Sequence, residues 1–175
     1  MDINFLAVLV AALVPMVIGF IWYNPKVLGT AWQKETGLSD EKIKGANMAL
    51  IFGVSFVLSF MLAFFMQPLV IHQFHIAASF YDYQEQIKDA STSEGAIYKQ
   101  VMDLVGMGHR TFGHGMLHGV MSGIFVATPI IATNALFERR SFKLIAINCG
   151  YWVISMGIMG GNVKLVNNQW LHKKC

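Results

Sequence analysis

The sequence predicts an all-α fold: a polytopic membrane protein with four transmembrane helices in one bundle and a long connector between the second and third. Composition is the first observation behind this. Of 175 residues, 55% are apolar and 13% charged, about half the charged share of an average soluble domain. Segregation of the charges is the second. No Asp, Glu, Lys or Arg falls in Ile3–Pro25 (23 residues), Gly45–Tyr81 (37), Thr111–Phe137 (27) or Leu144–Val163 (20). Each window reaches the roughly 20 apolar residues that cross a bilayer. In hydrocarbon every backbone amide must be satisfied within its own segment, so windows of this length read as helices. The whole chain, 1–175, reads as a single membrane domain.

The first helix is expected over about 4–23, ending on Trp22 and Tyr23, whose amphipathic rings suit the headgroup level. It has neither the basic n-region nor the A-x-A site of a signal peptide, so it is read as uncleaved. Asn24-Pro25 breaks it. The second helix is expected over about 41–70, with Ser39 or Asp40 as N-cap and Pro68 kinking or ending it. A connector of about 72–112 follows. Ile97, Val101, Leu104 and Val105 recur in it at helical spacing, a short surface helix, while "DASTSEG" reads as loop. The third and fourth helices, about 113–137 and 142–163, are separated only by "ERRS" and so form an antiparallel hairpin. Counting from that turn places Asn134 and Asn148 at equal depth, where an amide pair would bridge the helices. Lysine and arginine are densest in the two short loops (Lys26, Lys34, Lys42, Lys44; Arg139, Arg140, Lys143). That places these loops in the cytoplasm, with both termini and the acidic connector outside.

The runs "NALFERRSFKLIAINCGYWVISMGIMGG" (134–161) and "GFIWYNPKVLGTAW" (19–32) resemble a family of small bacterial inner-membrane proteins catalogued as a domain of unknown function. The L-F-E-R-R-S turn with I-N-x-G-Y-W, and the G-x-x-W-Y-N-P end of the first helix, carry the resemblance. It implies a four-helix protein of the bacterial inner membrane and supplies no reaction, substrate or catalytic residue.

Two constellations lie on the third helix, in "HRTFGHGMLHGVMSG" (109–123). Gly115, Gly119 and Gly123 recur every fourth residue and form a smooth stripe on which another backbone can approach closely; Gly157 and Gly161 do the same on the fourth helix. Equal counting from the turn sets Gly123 level with residue 159. His114 and His118 lie on a different face. Since the second helix ends where the third begins, His72 and His75 emerge on the same side as His109, His114 and His118. Imidazoles at this spacing can hold zinc, copper or haem iron, and Met102, Met107, Met116 and Met121 nearby would suit a soft metal. The competing reading is interfacial histidine and methionine filler.

No H-E-x-x-H, G-x-S-x-G, phosphate loop or intramembrane carboxylate pair occurs, and a net charge of +3 gives no reason to expect nucleic acid. Cys149 and Cys175 define no disulfide framework. The expectation is a non-enzymatic integral membrane protein in contact with the lipid bilayer. It would serve as a small subunit or assembly partner of other membrane protein subunits or by self-association, without a cofactor. The alternative is metal or haem binding or transport through the outer histidines.

Overall fold

The computed structural model describes residues 3–106 and 108–172, with side chains described through Val166. Met107 and the Lys173–Cys175 tail lie outside the described residues. Among the described residues every regular element is helical, and four helices are long and apolar enough to cross a membrane: Phe5–Trp22, Met48–Val70, Phe112–Phe137 and Phe142–Val166.

Helix α1 (Phe5–Trp22) starts on Asn4, whose side chain accepts from the Ala7 amide, satisfying one of the orphan donors of a helix start. Its small face, Ala7, Val8, Ala11 and Ala12, is buried, while Phe5, Leu6, Leu13 and Phe20 face outward. After Tyr23 the chain reverses around Asn24, whose carbonyl accepts from the Val27 and Gly29 amides. A side chain at Gly29 would collide with the Tyr23 carbonyl, so only glycine fits. Short helices α2 (Gly29–Thr36) and α3 (Asp40–Lys44) follow.

The second span corrects the expectation of one helix over 41–70. Ser39 caps only the five residues of α3, which stop at Gly45. Asn47 then accepts from the Leu50 amide and starts α4 (Met48–Val70) afresh. The physical cause is the Gly45-Ala46-Asn47 step, where a helix-ending glycine precedes a side chain that competes for backbone donors. Pro68 is accommodated inside α4, and the break comes at Ile71, which is extended (φ −105, ψ 102). The connector is then mostly ordered helix: α5 (His72–Ser79), two single 3₁₀ turns, and α6 (Ser93–Val105) capped by Thr92.

The third span is α7 (Phe112–Ser122), a π turn over Gly123–Ala127, and α8 (Thr128–Phe137). Pro129 has no N–H to offer the carbonyl four residues back, and the Thr128 hydroxyl donates to the Gly123 carbonyl within the π turn. Helix α9 (Phe142–His172) does not stop at Val163 as expected but runs on past Lys164. A single lysine ends a charge-free window without ending a helix, since lysine is a good helix former.

Helix α9 is the hub. Half of its span is buried (50%), against 11% for α4. Val8, Ala11 and Ala12 of α1, Ala63, Met66 and Val70 of α4, and Met156, Met159 and Val163 of α9 form one apolar cluster. On the other side of α9 the backbones close up. A Cβ at Gly115 would meet the Gly160 carbonyl, one at Gly119 the Met156 carbonyl, and one at Gly123 the Val153 Cα at 2.6 Å. From α9, Gly157 faces Val120 and Gly161 faces the Phe112 ring. Gly123 therefore sits opposite Val153 and not level with residue 159. The π turn inserts an extra residue into one arm of the hairpin, which accounts for part of that slip. With the register moved, Asn148 accepts from the Tyr23 hydroxyl at 3.3 Å, and Asn134 and Asn148 instead line one open cleft of about 480 Å³ with Trp32 and Arg140.

The two distinctive sequence segments meet at this turn end. Trp22 Nε1 donates to the Ile147 carbonyl (3.0 Å) and the Tyr151 hydroxyl to the Pro15 carbonyl (2.9 Å). Ser141 caps α9 through the Leu144 amide while its hydroxyl donates to Glu35 of α2 at 2.5 Å, and Lys143 pairs with the same carboxylate at 3.5 Å. Arg139 takes the left-handed conformation (φ 56) that lets α8 end and the chain reverse.

Candidate metal centre

The opposite end of the bundle gathers the N-terminus of α1, the end of α4, the start of α7 and the later turns of α9. The break at Ile71 turns the chain so that His72 opens α5. Gln73 fixes that start by donating to the Gly106 carbonyl, which also accepts from Arg110 Nε at 3.2 Å. The segment leading into α7 is thereby tied to α5. Thr111 caps α7 through the His114 amide, and the i, i+4 spacing puts His114 and His118 one above the other on its surface.

Three imidazoles converge as a result. The Nε2 atoms of His72 and His118 are 3.1 Å apart, those of His114 and His118 3.0 Å, and those of His72 and His114 3.4 Å. The rings do not stack on one another; His72 stands nearly perpendicular to both others, at 81° and 86°. Hydrogen bonding alone does not satisfy this triangle. A neutral imidazole has one N–H and one lone pair, so whichever tautomers are chosen, two of the three Nε2 atoms are alike and one side of the triangle sets two lone pairs or two N–H groups against each other. A cation at the centre satisfies all three. A metal about 2.0–2.1 Å from each nitrogen in tetrahedral geometry sets the nitrogens about 3.3 Å apart, close to the observed sides.

His75 is not part of the set: it lies exposed on α5, and the convergent group contains His72, His114 and His118. His109, in a left-handed conformation (φ 57), stacks on His114 at 4.9 Å and supports that ring. Met116 and Met121 are 40% and 46% exposed and leave a nitrogen donor set. Burial first, then the Lys164 ammonium and the neighbouring imidazoles, hold the His72 imidazole below its usual range, which favours the neutral ring.

The family described as "Protein of unknown function (DUF1761)" matches residues 6–163. The chain belongs to the DUF1761 family. No curated protein and no solved structure matches it. The stretch that defines DUF1761 membership contains all three convergent histidines and the whole glycine seam.

One residue of this region escaped the sequence reading. Lys164 is 2% exposed, and its Nζ has no hydrogen-bond partner. Its Cβ packs where a side chain at Gly115 would be, 2.9 Å from that position, which places it against α7, and its ammonium acts electrostatically on His72, His114 and His118. In the sequence it stands out only as the first charge after an apolar window. The available signal was its place three and four residues after Gly161 and Gly160, on the seam itself.

Proposed function

We propose that this chain is a non-catalytic membrane protein that holds a divalent transition metal, zinc foremost, at the edge of its helix bundle through His72, His114 and His118. The observation that carries the reading is the triangle of Nε2 atoms 3.0–3.4 Å on a side. Neutral imidazoles suit zinc and copper(II). Three nitrogens on one side of a point favour a small ion over haem iron, whose axial ligands stand on opposite faces of the macrocycle. With three protein ligands, a fourth position stays open. The test is metal analysis of untagged protein, with equilibrium dialysis against zinc. One ion per chain is expected, with loss of binding in the His114→Ala/His118→Ala double variant while helicity is kept. Substoichiometric metal that the double variant retains equally would end the reading.

Assembly is the second reading, favoured by α4. Ala49 and Gly53 lie four residues apart on a helix whose outer face is largely uncovered, and nothing lies within 4 Å of a Cβ built at Gly53. Such a face suits close approach of another helix, from a second copy or another subunit. Cysteine crosslinking along α4 in native membranes tests it; products indifferent to position would remove it. The basic short loops further support an orientation in a bacterial inner membrane with both termini outside. Reporter fusions after Ser141 and within "DASTSEG" check this, and cytoplasmic activity at the second site would reverse it.

A further inference from the structure

We infer that the histidine centre takes its metal together with a small inorganic anion, seated between the open coordination position and the Lys164 ammonium. This rests on the metal reading above and adds the identity of the fourth ligand.

The argument is one of charge. Three imidazoles are neutral ligands, so they leave a divalent ion's charge uncompensated. The surroundings add more of the same sign. Lys164 is buried and acts electrostatically on all three histidines. His114 lies in the first turn of α7, at the positive end of the helix dipole. Against this, no carboxylate among the described residues joins the convergent group. The ion pairs of Glu35, Glu85, Asp103 and Glu138 are made with other cations, and Lys164 Nζ has no hydrogen-bond partner. A buried ammonium with no acceptor is costly, and a metal placed near it would raise that cost. An anion removes both difficulties at once: it fills the metal's open position and gives Lys164 Nζ an acceptor.

The same end carries other unmet polar atoms, Gln67 Oε1 and Gln73 Oε1 among them. These two are acceptors and have nothing to offer an anion, while the unmet donor Asn4 Nδ2 belongs to the N-cap of α1, which bears none of the three histidines, so the assignment falls to Lys164.

The experiment uses the full chain in detergent loaded with Co²⁺, whose visible d–d spectrum reports the coordination sphere, in a non-coordinating buffer. Azide, thiocyanate and phosphate are titrated in turn. The expected result is one Co²⁺ per chain, an anion-dependent change in the spectrum, and anion affinity about tenfold or more weaker in Lys164→Met, the scale of a charged hydrogen bond. Lys164→Arg should retain most of it. Co²⁺ content serves as the folding control, because Lys164→Met leaves the histidines in place. Stoichiometric Co²⁺ with a spectrum that ignores anions, or with equal anion affinity in Lys164→Met, overturns the inference and leaves the metal reading standing. Failure of the parent protein to bind Co²⁺ overturns both.

Discussion

The two ends of this bundle are built on opposite terms. At the turn end polar groups have partners: Trp22 meets Ile147, Tyr23 meets Asn148, Tyr151 meets Pro15, and Glu35 of α2 takes up Ser141 and Lys143. At the histidine end, three lone-pair-bearing nitrogens crowd one point. Among the described residues, four of the five buried side-chain atoms without a partner, Asn4 Nδ2, Gln67 Oε1, Gln73 Oε1 and Lys164 Nζ, also belong to this end. Buried polar groups are nearly always hydrogen-bonded in folded proteins. An end that leaves them open is less stable than it could be, and such a concession is characteristic of binding sites.

That contrast can be broken by substitution. The largest effect is expected at neither end but in the seam that holds both. Gly119→Leu would drive a side chain into the Met156 carbonyl, forcing α7 off α9, and should destabilise by roughly 3 kcal/mol or more. Thermal unfolding in detergent reads it, with the outward Ile130→Leu, within about 0.5 kcal/mol of the parent, as control. Equal stability of the two variants would dissolve the seam.

The sharper test is a change of sign between the ends. Lys164→Met, in metal-free protein, removes an unpartnered buried charge and should raise stability by about 1–3 kcal/mol. Tyr151→Phe at the turn end removes a satisfied hydrogen bond and should lower it by about 1 kcal/mol. If both variants are destabilised alike in denaturant titrations, the two ends do not differ in the way described.

The smallest effect concerns acid. The Ser141 hydroxyl, then Lys143, hold the Glu35 carboxyl below its ordinary 4.5. Because the folded-state value is the depressed one, this contribution is complete above the unfolded value and fades as the pH falls from there through the folded value. Glu35→Gln should therefore flatten the acid limb of the stability profile and change little at neutral pH. An unaltered acid limb would mean that α2 does not clamp the turn.

Four spans, the hairpin and the glycine faces were legible in the sequence because each depends on a local property: exclusion of charge from hydrocarbon, a connector too short to cross, and a small residue at every fourth position. The break at Gly45–Asn47 was less legible, since a cap competing with a hydrophobic run leaves no trace in hydropathy. Histidine placement was half legible. The i, i+4 pair on α7 follows from helical geometry, but whether His72 or His75 joins it depends on the backbone angle at Ile71, and Gln73 and Gly106, distant in sequence, fix that angle. Tertiary structure alone decided the register of α7 on α9, where Gly123 meets Val153 and the π turn accounts for part of the shift. It alone brought Lys164 beside the histidines. Side chains from α5 and α7 reach a common point only once the helices are packed, and no periodicity within one helix encodes that distance.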